Sequence, residues 1–559
     1  MSKPSPLNKT SFHFYMTAWR ICATILSGLL LSACFAPLEW DLLIWIALLP
    51  LLLLPVPHSW HQRLLVGYLW GYIQNAFSLL WLNNVGFGAG FLLSLYCALF
   101  PMAWYCFFSC LLCSLQNRTK DSTHPPAFIY LFHPLKAMAF AFILASAWVS
   151  LEWLRSWLFT GFPWNQLGIS QYHRSGIIQI AAYTGVYGLS FLILLINLIL
   201  CTECAQFLQR CLTHKRPFFP WHLTIGVLAF LPVCYLGTQP DCSAPEGTPE
   251  LLLSAVQGNI PLCREWTQKD YVLARDVYTK LSEKEYQQKP APDLIIWPES
   301  AVPASLNYPE YNTHLNMLLE KIPIPFLIGI LSYRENPNDL EMPHVFNSAL
   351  LLQNSTSDKQ QYYDKIHRVP FGEYVPGSKY YPQLREWIGM GRDLTPGQNY
   401  TIFHLPKGAL AGINICFEDV FPEISREFTL RGANLLMTIT NDSWYRESAG
   451  AQQHLSHVVF RAVENRRPLL RSGNNSHTCL ITPNGKILGI PENPDTGSRF
   501  FRCATRYQIP IYNNWGMTFY TKHGNLFAIL CNIITLAVLA FLFVCFLHKK
   551  KQNYDTITK

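Results

Sequence analysis

Three short stretches carry the residue types that acyl-transfer chemistry needs. In Leu294-Ile-Ile-Trp-Pro-Glu299-Ser-Ala an apolar run meets Pro298 and ends on a carboxylate. In Tyr363-Asp-Lys365-Ile-His367-Arg-Val-Pro-Phe-Gly-Glu373-Tyr-Val-Pro a lysine, a histidine and a glutamate crowd a loop rich in Pro and Gly. In Gly412-Ile-Asn-Ile-Cys416-Phe-Glu418-Asp419 a buried-type strand ends on a cysteine flanked by acids. A thiolate attacks an ester carbonyl better than any other side chain, but a free thiol is mostly protonated at neutral pH. Glu299 can take that proton if burial raises its pKa toward working pH. Lys365 supplies fixed positive charge and, with the backbone N–H after Cys416, can hold an oxyanion. Taken singly, each stretch also has an ordinary reading. Free cysteine is among the most buried residue types, which is the reading for Cys479 and Cys503. A Pro-Glu-Ser step is a common helix start. His367 is read as a solvated or hydrogen-bonded loop residue without a catalytic role.

The elements that must position these residues alternate. Leu251–Gln257, Leu294–Trp297, Phe326–Leu331, Ser348–Leu352, Ala411–Ile415, Leu435–Thr440 and Thr478–Thr482 are short and rich in apolar or β-branched residues, as strands are. Helical patterns lie between several of them, at Tyr271–Gln287, Glu310–Lys321, Asp419–Arg431 and Gln452–Asn465. This alternation predicts a layered α/β domain over 239–524, entered through a linker with Pro240, Pro245 and Pro249.

The flanking regions have another composition. Only 14% of the 559 residues are charged, against about 25% in a typical soluble chain. The deficit falls before residue 240 and after residue 524. Apolar runs near 16–36, 40–57, 63–83, 88–114, 134–158, 176–202, 221–238 and 525–547 predict eight membrane helices, since a span needs about 20 apolar residues. Seven form an N-terminal bundle over 1–238, and the eighth, with a basic tail, covers 525–559. Pro50 and Pro55 break the second run. Arg20, Glu152 and Arg155 lie in or near spans, where such residues face a bundle interior or the interface. Basic residues gather in alternate loops: Lys3 and Lys9; Arg63; Arg118, Lys120 and Lys136; Arg210, Lys215 and Arg216; Lys549, Lys550 and Lys551. Those loops are therefore expected in the cytoplasm, with both termini, and 239–524 outside it. The loop at 159–175, with Phe159, Phe162 and Trp164, suits the membrane interface. The formal charge of +8 is thus read as a topology signal and not as nucleic-acid binding. Leu31-Ser-Ala-Cys34 allows a rival reading as a lipoprotein signal, with Cys34 lipidated. The 17 cysteines form no paired spacing of a disulfide scaffold, and no zinc, Walker or Rossmann spacing is present, so no cofactor or metal is expected.

The three stretches, in this order, resemble the Glu–Lys–Cys constellation of the nitrilase (carbon–nitrogen hydrolase) superfamily. The membrane frame narrows the resemblance to the apolipoprotein N-acyltransferase family. Gln257-Gly-Asn-Ile-Pro261 with Trp266 downstream, Thr440-Asn-Asp-Ser-Trp444, and Arg466-Arg-Pro-Leu-Leu-Arg471-Ser-Gly-Asn-Asn475 extend it. The resemblance implies an αββα sandwich inserted in an all-α polytopic membrane bundle. It implies Cys416 as nucleophile, Glu299 as base and Lys365 as oxyanion partner, with Glu373 and Glu418 orienting Lys365 and shaping the pocket. Trp266 and Trp444 would sit on mobile arms that handle acyl chains. The expected donor is a membrane phospholipid, phosphatidylethanolamine, and the acceptor the α-amino group of a diacylglyceryl-cysteine apolipoprotein. The enzyme would act as a monomer in a bacterial inner membrane, with its catalytic domain in the periplasm. Phe417 departs from the family pattern, where many members carry Tyr after the nucleophile. A tethered amidase, with water as acceptor, is the rival enzyme. A transporter or receptor with a degenerate domain is the non-enzymatic alternative.

Overall fold

The computed structural model describes residues 9–116, 133–213, 220–237, 244–262, 266–302, 309–336, 343–353 and 360–557. Lys3, Arg118, Lys120, Lys215 and Arg216 of the basic loops lie outside these residues, as do Pro240, Cys242 and Cys263. The chain forms two compact units. The first holds residues 1–171, 186–238 and 525–559; the second holds 172–185 and 239–524.

The first unit is helical. Among the described residues four helices are long and apolar enough to cross a membrane: Ala89–Ser114, Pro134–Arg155, Val186–Cys211 and Leu526–His548. Thr17–Ala33, Asp41–Leu52 and Leu223–Val233 are apolar but shorter. The expected count of eight is therefore not established. The run at 40–57 is not one helix but a 3-10 turn, Asp41–Trp45, and a four-residue helix, Leu49–Leu52, with Pro50 near its start. The helix expected at 176–202 begins ten residues later, at Val186, because Gly185 has a positive φ of 65° that no helix accepts. Several polar side chains within this unit find partners. Glu152 accepts from Trp148 Nε1 at 2.8 Å and from the Leu167 N–H at 2.9 Å. Arg155 donates to the Trp164 carbonyl at 2.9 Å, and Arg20 to the Pro55 carbonyl at 3.2 Å. Cys34 is buried with its thiol directed at the Leu30 carbonyl.

Among the described residues the second unit is built on twelve strands. They are β1 (Glu250–Gln257), β2 (Leu294–Ile296), β3 (Phe326–Arg334), β4 (His344–Leu352), β5 (Gln361–Asp364), β6 (Ile402–His404), β7 (Leu410–Ile415), β8 (Leu435–Thr440), β9 (Leu469–Gly473), β10 (Cys479–Ile481), β11 (Ile487–Leu488) and β12 (Cys503–Pro510). One six-stranded sheet runs β12-β1-β2-β3-β4-β5 and the other β11-β10-β9-β8-β7-β6. The central pairs, β1 with β2, β2 with β3, β7 with β8 and β8 with β9, are parallel. Their residues are apolar almost without alternation, as in sheets covered on both faces. Helices Gln268–Gln287 and Pro309–Lys321 pack Val277, Tyr278, Leu315 and Leu318 onto β1, β2 and β3. Helices Pro422–Leu430 and Ala449–Asn465 cover the other sheet. The result is the expected αββα sandwich. Residues 177–184 form short helical turns on this unit, where Gln179 donates to the Asn484 carbonyl at 2.9 Å.

Candidate active site

Glu299, Lys365 and Cys416 lie just beyond the C-terminal ends of β2, β5 and β7, and all three are buried. Each is held by its local sequence. Trp297 ends β2, stacked on Tyr278 with ring centroids 5.2 Å apart, and its Nε1 donates to Ser282 at 2.9 Å. The chain then turns through Pro298 so that Glu299 leaves the strand with a fixed direction. Gly329 on β3 permits that turn, since a Cβ there would lie 2.6 Å from the Glu299 Cα. Cys416 has φ of 52°, in the left-handed region that disfavours side chains, and opens a 3-10 turn through Val420. A side chain on so sharp a bend leaves the strand register, at some cost in backbone strain.

The carboxylate of Glu299 is fully engaged. Its Oε1 accepts from Asn347 Nδ2 at 2.8 Å and lies 3.6 Å from Lys365 Nζ, and its Oε2 accepts the Asn441 N–H at 2.9 Å. Glu373 Oε1 accepts from Lys365 Nζ at 2.8 Å and from the same Asn347 Nδ2 at 3.0 Å. Its Oε2 takes the Val369 N–H at 2.8 Å. Glu373 thus orients Lys365 directly. Glu418 acts differently. It accepts from Tyr363 Oη at 2.8 Å and from the N–H groups of Ile366, His367 and Ile415 at 2.7, 3.1 and 2.8 Å. It therefore ties the backbone after Lys365 to the Cys416 bend and does not touch the ammonium.

Burial pushes the Glu299 pKa up, with Glu373 adding to it and Lys365 opposing. Burial also holds the Cys416 thiol well above its ordinary range, reinforced by Glu299 and opposed by Lys365. Lys365 loses by burial but gains more from Glu373 and Glu299, so it stays charged. Burial lifts Glu418 to about 7 against its hydrogen bonds. Burial, with Lys365 next, brings His367 down to about 4. His367 is not a solvated loop residue. Its ring lies tilted against Phe421 with centroids 3.7 Å apart, and burial favours its neutral form. Cys416 faces Glu299 and Lys365, which act on its thiol in opposite senses, and it lies beside Thr440 because the residues before them, Ile415 and Ile439, are paired.

The two tryptophans are not drawn into this cluster. Trp266 packs on Tyr271, ring centroids 5.5 Å apart, beside the core of the first sheet. Trp444 is exposed on the turn Asp442–Tyr445 between buried Ser443 and Tyr445. Ser443 bonds Asn441, whose N–H holds Glu299, so the Trp444 turn is coupled to the site through backbone. Asn347 and Thr440 had no assigned role in the sequence. Asn347 is an amide inside a strand that is otherwise largely apolar, and that contrast was the available signal.

A Glu, a Lys and a Cys thus meet at the strand ends of an αββα sandwich. Residues 252–497 match the carbon–nitrogen hydrolase family, and residues 27–199 match the apolipoprotein N-acyltransferase N-terminal domain. The chain is 32% identical to the apolipoprotein N-acyltransferase of Geobacter metallireducens, over 92% of this chain and 94% of that one. It is 28% identical to that of Vibrio vulnificus, over 88% and 93%. Among solved structures, Saccharomyces cerevisiae Nit3, a member of branch 10 of the nitrilase superfamily, is 16% identical. It covers 48% of this chain and 93% of its own, with a TM-score of 0.35. The chain belongs to the apolipoprotein N-acyltransferase family.

Proposed function

We propose that this acyltransferase of the carbon–nitrogen hydrolase superfamily moves a fatty acyl chain from a phospholipid to an apolipoprotein by way of Cys416. The observation that carries the reading is the meeting of Glu299, Lys365 and Cys416, all buried at strand ends, with Lys365 Nζ 3.6 Å from Glu299 Oε1. Burial keeps the resting sulfur a thiol, so no standing thiolate awaits the substrate. The proton instead passes to Glu299 as the sulfur attacks the ester carbonyl, and Lys365 with the Phe417 N–H takes up the oxyanion. The tetrahedral adduct collapses to a thioester, and Glu299 returns the proton to the leaving lysophospholipid alkoxide. The α-amino group of a diacylglyceryl-cysteine then attacks the thioester. Glu299 accepts an ammonium proton, the Cys416 sulfur leaves and is reprotonated, and an N-acyl product remains.

Phosphatidylethanolamine is the proposed donor, and the enzyme is proposed to work as a monomer in the inner membrane. Glu373 and Glu418 hold the Lys365 loop, and Trp266 and Trp444 line the approach of the acyl chains. Alternating basic loops support a periplasmic site, next to lipid substrates held at high local concentration. The test is mass spectrometry of the full chain in phosphatidylethanolamine liposomes without acceptor. A hydroxylamine-sensitive acyl group on the Cys416 peptide is expected, lost when an acceptor lipopeptide is added. An unmodified Cys416 during turnover would overturn the reading.

A further inference from the structure

Behind the nucleophile lies a cluster of four charged side chains that the mechanism above does not use. Asp419, Asp442, His454 and Arg471 have no exposed side-chain surface. His454, on helix Ala449–Asn465, places Nε2 2.7 Å from Asp419 Oδ1 and Nδ1 3.1 Å from Asp442 Oδ1. Carboxylate oxygens only accept, so both ring nitrogens must donate, and the ring is an imidazolium. The other polar atom beside Nδ1, Arg471 Nη2 at 3.2 Å, is committed to Asp442 Oδ2 at 2.7 Å. Two anions and two cations then balance. The cluster reaches the sulfur through one hydroxyl. Thr440 donates to Asp442 Oδ1 at 3.1 Å and lies beside Cys416, each following one of the paired residues Ile439 and Ile415.

We propose that His454 is a positioning residue for the nucleophile, which as an imidazolium between Asp419 and Asp442 frees the Thr440 hydroxyl to serve the Cys416 sulfur. Thr440 has one hydrogen. When the sulfur loses its proton, that hydrogen can turn to it from Asp442 only if Asp442 keeps other donors. His454 holds Oδ1 and Arg471 holds Oδ2, so the turn leaves no bare carboxylate oxygen in a dry interior, where an unsatisfied charged group is costly. The imidazolium also cancels one of the two negative charges behind the sulfur. Other groups facing the cluster do not replace it. Tyr445 lies with its ring 6.0 Å from the imidazole, Arg461 is tied to Glu464 and to the carbonyls of Asp419 and Val420, and His477 and Cys479 act on Asp442 and Arg471. Burial alone would strip the imidazole of its proton. Asp419 chiefly, with hydrogen bonds to Asp419 and Asp442, pushes it up to about 9 in spite of Arg471.

The inference rests on Cys416 as nucleophile, so its test reads the sulfur without reading transfer. The full chain in liposomes is alkylated with iodoacetamide across pH, and the Cys416 peptide is quantified by mass spectrometry. His454→Gln leaves one uncancelled negative charge and is expected to move the alkylation midpoint up by about one pH unit, a tenfold slowing on the acid limb. Adding Asp419→Asn to that variant restores neutrality and is expected to bring the midpoint back. A merely structural histidine would give no such rescue. Thr440→Val, close in shape to the parent, is expected to raise the midpoint as well and serves if the charge variants do not fold. A wild-type midpoint in folded His454→Gln or Thr440→Val, or a shift that Asp419→Asn does not reverse, overturns the proposal. Loss of the wider reading would show otherwise, as acyl transfer retained by Cys416→Ala while alkylation of Cys416 in the parent chain and in the His454 and Thr440 variants follows the expected pattern.

Discussion

Lys365 is held by Glu373 and not by Glu299: its Nζ lies 2.8 Å from Glu373 Oε1 but 3.6 Å from Glu299 Oε1. Asn347 Nδ2 spans the two carboxylates and keeps them apart in role. The ammonium has its counterion in Glu373, which leaves Glu299 close enough to feel the charge and free enough to take a proton. A base paired outright with lysine would hold a depressed pKa and lose its driving force.

Glu373→Gln tests that division. Removing one partner of a buried pair leaves an uncompensated charge, and the nearest carboxylate is Glu299. Lys365 is expected to close on Glu299, lower its pKa and, drawn away from the oxyanion, slow thioester formation by about 100-fold, the order of a lost oxyanion donor. Single-turnover acylation of Cys416 against pH measures this, and the acid limb should move to lower pH. An unchanged limb with normal rate would show that Glu373 does not orient Lys365.

The three central residues separate by step. Cys416→Ala should abolish transfer while the chain still inserts and folds, and Cys416→Ser should bind lipid without turnover, because a hydroxyl is far harder to deprotonate. Glu299→Gln and Lys365→Ala should both fail before the thioester, with first-half rates down by about 10²–10³ or more. Accumulation of acylated Cys416 at the normal rate in either variant would refute its assigned role, as would turnover by purified Cys416→Ala.

Much of the catalytic unit is legible in the sequence because its strands obey simple rules. β1, β7 and β8 are continuous apolar runs, and their ends carry Gln257, Cys416 and Thr440. The strands without a clear signal are β5, β6, β9, β11 and β12. They are short, or polar on one face like β12 with Arg506 and Gln508, so tertiary pairing and not local pattern decides them. The residues 177–184 read as part of a membrane helix because Ile177, Ile178, Ile180, Ala181 and Ala182 are as apolar as the span that follows. Only the Gly185 conformation separates them, and hydropathy does not register it. At the site, Glu299, Lys365 and Cys416 stand out as unusual residues at strand ends. Asn347 and His454 do not, since their roles depend on partners distant in sequence.

Placement of the second unit is tested by labelling. Alternation of basic loops predicts 239–524 outside the cytoplasm and the C-terminal Lys549–Lys551 cluster inside. Single cysteines introduced at exposed Lys269 and Glu492 should react with a membrane-impermeant maleimide in intact spheroplasts. A reporter fused after Lys551 should behave as cytoplasmic. If the maleimide reacts only after the inner membrane is broken, the lipoprotein amine and the site lie on opposite sides, and the proposed acceptor is excluded.

The buried imidazolium has a thermodynamic consequence that can be isolated by pH. His454 has an ordinary value of 6.5 and is pushed to about 9 in the folded chain. A base whose folded value is raised contributes stability fully below its unfolded value, and loses it as pH rises through the folded one. The loss should therefore run from about pH 6.5 to about pH 9, with an upper bound on the order of 3 kcal/mol. Glu418 behaves in the opposite sense. Its folded value rises from 4.5 to about 7, so it costs stability as pH climbs between those values and is constant above them. The interval from pH 7.5 to 9.5 thus separates the two. Thermal unfolding of the liposome-embedded chain, followed by fluorescence, should show a midpoint that falls across this interval. His454→Gln should start lower and remain flatter, because its side chain has no proton to lose. A wild-type midpoint that does not fall between pH 7.5 and 9.5 would mean that the ring is neutral and accepts from Arg471, and the charge balance behind Cys416 would then be wrong.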